Sequence, residues 1–100
     1  MKMNRKMVMI TTTWCAPCKH AKKYLIPEVE KDCPGQVEVV DGADDPENLA
    51  KKNKVQHVPT ILLMEDGKTV KMFSGVLPQA GVLVNWLKGG ELHGADRCDG

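Results

Sequence analysis

Two cysteines stand three residues apart in the stretch Thr13-Trp14-Cys15-Ala16-Pro17-Cys18-Lys19, at the start of a helical pattern. The run Met7-Val8-Met9-Ile10 lies just upstream and reads as a buried strand. Strand, turn, cysteine pair and helix, in that order, is the context in which two thiols work as a redox couple. The spacing alone is also compatible with a metal site or a structural bridge, so the rest of the chain has to discriminate.

The chain has 100 residues, the size of one domain and too few for two cores. Apolar residues make up 42% and charged residues 27%, which excludes wholesale disorder. A net charge of +1, with Lys and Arg dispersed among Asp and Glu, gives no reason to expect nucleic acid or an anionic membrane as partner. No apolar run approaches the ~20 residues of a membrane helix. The first six residues are basic, but only four apolar residues follow before Thr11-Thr12-Thr13, too few for a secretory h-region. The expected location is therefore the cytoplasm. Four cysteines without a secretory signal read as a catalytic or metal-binding pair rather than a disulfide framework.

Lys6 to Ile10 is the first expected strand, buried on both faces. Cys18 to Lys31 reads as a helix. Ala21, Leu25 and Val29 form its buried stripe, Tyr24 and Ile26 widen it, and Pro27 predicts a kink. Cys33-Pro34-Gly35 ends it. Val37 to Val40 is the second strand. Asp45 is a candidate N-cap with Pro46 and Glu47 behind it, opening a short helix that runs to Asn53. Thr60 to Met64 is the third strand, Asp66-Gly67 a hairpin turn, and Thr69 to Ser74 the fourth strand. Pro78 to Lys88 is the last helix, with Val82, Leu83, Trp86 and Leu87 facing inward. The order βαβαββα predicts an α/β fold: a mixed four-stranded sheet with three flanking helices. Residues 1–88 form the expected domain and residues 89–100 a flexible tail.

At Trp14-Cys15-Ala16-Pro17-Cys18-Lys19 the chain resembles the thioredoxin family, as a short thioredoxin or a thioredoxin-like glutaredoxin. Val58-Pro59-Thr60 is similar to that family's cis-proline loop, and Gly75-Val76 to the glycine-containing edge of its substrate groove. The resemblance implies a minimal thioredoxin fold and reduction of protein disulfides without a held cofactor. It also implies a thioredoxin-reductase-like flavoprotein or glutathione as reductant, with ribonucleotide reductase as a family-typical client. It departs in four ways: only a few residues precede the first strand, where full-length members carry an extra strand and helix; the family's buried aspartate falls at Met9; its lysine partner falls near Val37; and its helix proline sits closer to the cysteines than Pro27 does.

Physical chemistry assigns the thiols different work. Cys15 at the helix N-terminus meets unpaired N–H groups and the positive end of the macrodipole, so its pKa should be lowered and it attacks. Cys18, one turn further in, should be more buried and resolves the mixed disulfide. Pro17 stiffens the loop. The resemblance implies a groove beside them that uses Trp14, Ala16, Pro17, Val58, Pro59 and Gly75. Val58 would offer its backbone to an added substrate strand, with Lys19 and Thr60 in support. With Met9 beneath the site, water or Glu38 is left to accept the Cys18 proton. His20 reads as surface, Tyr24 as helix packing, Trp86 as core, and Cys33 and Cys98 as unpaired thiols. A metal site drawing on Cys33, Cys98, His20, His57 or His93 lacks a second ligand pair at zinc spacing. A binding module using the same groove without turnover, or a metal-binding protein, are the alternatives. The expected state is a monomer.

Overall fold

The computed structural model describes residues 4–12, 15–42, 49–74 and 77–91. Strands β1 (Arg5–Thr11), β2 (Val37–Asp41), β3 (Thr60–Glu65) and β4 (Lys68–Ser74) form one sheet in the order β2-β1-β3-β4. β1 pairs in parallel with β2 and antiparallel with β3, which pairs antiparallel with β4. The right-handed crossover expected from a helix between β1 and β2 sets that parallel pair, and a hairpin sets the last one. Asp66 at φ 55° and Gly67 at φ 83° make its turn, where positive φ suits Asp-Gly.

Among the described residues, three helical runs flank the sheet. The first is continuous from α1 (Ala16–His20) through a π-helical turn at Ala21–Leu25 to α2 (Ile26–Asp32). The others are α3 (Leu49–Lys52) and α4 (Ala80–Leu87). Pro27 explains the wide turn: it has no N–H to give the Lys23 carbonyl, and its ring would strike the preceding turn of a regular helix. The Ile26 N–H instead reaches back five residues to the Ala21 carbonyl. The expected kink at Pro27 is thus taken up before the proline, as a π turn.

β1 and β3 are buried on both faces, as their continuous apolar runs predict. Met7, Met9, Ile61 and Leu63 point to one side, against Ala21, Ile26, Val29, Leu83, Trp86 and Leu87. Val8, Ile10, Leu62 and Met64 point to the other, with Val40 and Leu49. Trp86 is core, 5% exposed. Two side chains depart from expectation. Tyr24 does not widen the buried stripe but is 54% exposed, because the π turn rotates it away from the sheet. Val82 is only half-buried. The last helix also starts two residues later than Pro78, at Ala80.

A polar clamp closes the end of the sheet away from the cysteines. Arg5 Nη1 donates to the carbonyls of Trp86 (2.7 Å) and Gly90 (2.9 Å), and its Nε donates to Glu65 Oε1 (3.1 Å). The guanidinium also lies 4.6 Å from the Trp86 ring centroid. Gln36 Nε2 donates to the carbonyls of Arg5 and Leu87. The last carbonyls of α4 thereby gain donors that the helix cannot supply. Glu91 and Gly90, placed by the sequence in the tail, are hydrogen-bonded to Asn85 and Arg5. The segment expected to be flexible beyond them, and the expected cap at Asp45-Pro46-Glu47, lie outside the described residues.

Cys33 caps α2, is 1% exposed and is free. Burial pushes its thiol above the ordinary 9.0; nearby Asp32 also raises it, and Lys88 pulls the other way. Below that ordinary value both folded and unfolded chains keep the proton. Above it the unfolded chain ionises first, so the native state binds more protons and stability falls as pH rises. Replacing Cys33 by Ala should flatten the decline of stability above pH 9.0 in denaturant titrations. An unchanged slope would remove Cys33 as its source.

Candidate active site

The cysteine pair sits where β1 hands over to the first helix. Cys15 occupies the N-cap, with extended backbone (φ −88°, ψ 110°), and Pro17 falls in the first turn, where a missing N–H costs nothing. The Cys18 N–H donates to Cys15 Sγ at 3.1 Å, so the sulfur stands in the position that a capping oxygen usually takes. Cys15 and Cys18 are joined as a disulfide with Cα atoms 5.1 Å apart. Cys15 keeps 9% of its surface exposed, whereas Cys18 is 0% exposed.

The loop before β3 comes alongside. The Val58–Pro59 peptide bond is cis. Thr60, fully buried, donates its hydroxyl to the His57 carbonyl and lies 3.1 Å from Ser74 Oγ, which ties this loop to the end of β4. Pro17 and Pro59 both line an open groove of about 370 Å³, which His20, Ala21, Leu25 and Leu77 extend along the helix. The structure therefore brings together Cys15, Cys18, Pro17 and Pro59, with Val58 and Thr60 as flanking residues of the same loop. Ala16 and Lys19 are exposed on the first turn of the helix. Trp14 and Gly75 lie outside the described residues.

The face of the sheet that the first helix covers is apolar. Met9 is 0% exposed in the same cluster as Ala21. The β2 residue paired with Met9 is Val39, not Val37, which pairs with Met7. Glu38 does not serve the site as supposed: it belongs to the opposite face, beside Val8, and its carboxylate holds Lys6 Nζ at 3.2 Å near solvent. The feature that sequence reasoning passed over is the exposed His20–Tyr24 ring pair beside the groove, with centroids 4.6 Å apart. Its only signal in the sequence is Pro27, whose effect on the preceding turn moves Tyr24 outward.

With Cys15 partly exposed and Cys18 sealed one turn behind it, this centre can pass two electrons to a disulfide when reduced and accept two from a dithiol when oxidised; it is a thiol–disulfide exchange centre. The thioredoxin family model matches residues 2–89. A thioredoxin of Staphylococcus epidermidis is 31% identical over 75 residues, covering 74% of this chain and 71% of that one. The chloroplastic thioredoxin M3 of rice is 25% identical over 75 residues, again 74% of this chain but 42% of its own length. Fasciola hepatica thioredoxin superposes with a TM-score of 0.67 at 24% identity, over 87% of this chain and 81% of that one. The chain belongs to the thioredoxin family, and its activity is that of a protein-disulfide oxidoreductase. The metal-binding and binding-module alternatives are not favoured, since the cysteine pair is intact and within bonding distance.

Proposed function

We propose that the chain reduces protein disulfides, with Cys15 as nucleophile and Cys18 as resolving thiol. The observation that carries this reading is the asymmetry of the pair: the Cys15 sulfur caps the helix and its residue keeps some exposure, whereas Cys18 is sealed. The Cys18 N–H aimed at Cys15 Sγ and the positive end of the helix dipole stabilise the Cys15 thiolate, which attacks one sulfur of the substrate disulfide. A Cys15–substrate disulfide forms as the other substrate sulfur leaves as thiolate. Cys18, deprotonated, then attacks Cys15 Sγ and expels the second substrate thiolate. Two electrons have passed to the substrate, and the Cys15–Cys18 disulfide remains.

The client segment lies against Trp14, Ala16, Pro17, Pro59 and Gly75, and takes backbone hydrogen bonds from Val58 as an added strand. Lys19 supports the thiolate electrostatically and Thr60 holds the cis-proline loop. Residues 1–88 are the working domain and 89–100 a tail. The protein acts as a cytoplasmic monomer, in keeping with its likeness to bacterial thioredoxins. Its reductant is a thioredoxin-reductase-like flavoprotein or, in a glutaredoxin-like role, glutathione, and ribonucleotide reductase is a candidate client.

Reduction of insulin, followed with thioredoxin reductase plus NADPH and separately with glutathione plus glutathione reductase, tests this reading. Turnover is expected with at least one system, and the faster one names the reductant class. Failure with both, while dithiothreitol also supports no reduction, would refute the assignment.

A further inference from the structure

The groove beside Pro17 does not stop at the cysteines. It follows the helix past His20 and Leu25, with Leu77 and Pro78 on its far side and Pro59 at its head. Tyr24, 54% exposed, packs its ring against His20 at 4.6 Å with a 45° tilt, and Lys23 Nζ stands 5.5 Å from the Tyr24 centroid. An exposed aromatic pair beside an apolar trough is the composition in which interfaces concentrate binding energy. The second observation is charge. Lys19, Lys22 and Lys23 are exposed on the same helical run, and the first acidic residue of the whole chain is Glu28. Glu28 faces Lys31 at 3.7 Å, and among the described residues no ion pair involves Lys19, Lys22 or Lys23.

We propose that this groove selects client polypeptides carrying an apolar residue followed by Asp or Glu beside their disulfide. The apolar side chain fills the trough between Pro17, Leu25 and Leu77, closed on its outer side by His20 and Tyr24. The carboxylates then meet Lys23, which stands beside the Tyr24 ring, while Lys22 adds to the field that steers the encounter. The inference deepens the disulfide-reductase reading and rests on it.

Three peptides that share one intramolecular disulfide, flanked by Leu-Asp-Asp, Leu-Ser-Ser or Leu-Lys-Lys, test it. Each kcat/KM is divided by that for hydroxyethyl disulfide, which has no flanking residues. At low ionic strength the acidic peptide should exceed the lysine peptide about tenfold, with the serine peptide between them. The gap should close to about twofold in ~0.5 M salt and in Lys22→Gln/Lys23→Gln. Tyr24→Ala should lower the ratio for all three peptides about threefold or more. Equal ratios for the three peptides would overturn the proposal, as would an acidic preference that survives the double substitution. Self-association that disappears in Tyr24→Ala would overturn it too, because a second copy would then fill the groove. If no disulfide is reduced, the small one included, the reductase reading fails separately. The proposal is then decided by binding of the three peptides to the oxidised protein, where equal affinities reject it.

Discussion

Cys15→Ser is expected to lower reduction of protein disulfides about a thousandfold or more, because a serine hydroxyl at neutral pH is a far weaker nucleophile than a thiolate. Cys18→Ser should fail differently. Cys15 keeps its place at the helix N-cap, so the first exchange proceeds and the mixed disulfide accumulates. Mass spectrometry of each variant after mixing with a disulfide substrate separates the two. A stable adduct with Cys18→Ser and none with Cys15→Ser is the expected result. The reverse pattern would exchange the roles of the two thiols. Exposure supports the expected order, since an incoming disulfide can reach Cys15 but not the fully buried Cys18.

Arg5→Ala should produce the larger of the stability effects. Its guanidinium bonds two backbone carbonyls and Glu65, and covers the Trp86 ring, with side-chain exposure of 12% for Arg5 and 29% for Glu65. Truncation leaves the Glu65 carboxylate and the carbonyls of Trp86 and Gly90 without these donors, and the loss of a hydrogen bond to a charged group exceeds that of a neutral one. A loss of about 2–4 kcal/mol follows, discounted for the partial exposure of the pair. That corresponds to roughly 10–20 °C in Tm for a domain this small. Arg5→Lys should fall between, since an ammonium keeps the charge but cannot bridge three acceptors in one plane. Denaturant titration of both variants measures this, and a loss below about 0.5 kcal/mol for Arg5→Ala would reduce the clamp to an ordinary surface pair.

The sheet was legible because its signals are local. Continuous apolar runs marked β1 and β3, the Asp66-Gly67 turn joined β3 to β4, and each strand lies within one residue of its expected ends. The cysteine pair was legible from spacing and context. The cis bond at Val58–Pro59 was legible only through family resemblance, because proline before a strand is common in either isomer. What escaped depends on tertiary geometry. Arg5 reads as one more dispersed cation, and its partners lie 60 to 85 residues away. Glu38 reads as an acid near the site, until the pleat of β2 turns it to the other face. Tyr24 fits a helical period of 3.6, and only the change of period before Pro27 takes it out of the core.

That change of period has a further consequence for how the chain tolerates length changes. A π turn carries one residue more than a regular turn, so it shifts the two ends of the helix against each other by about 100° of rotation. Deleting one residue between Ala21 and Leu25 would restore an uninterrupted α-helix, a gain in local regularity. The shortened regular helix turns through the same net angle as the present longer one with its wide turn, so Cys18 and Val29, each 0% exposed, would both stay directed at the sheet. The wide turn thus absorbs one extra residue without unseating either the redox end or the core end of the helix. Single-residue deletions here should therefore be far less damaging than deletions in the regular turns on either side, which would swing one end away from the sheet.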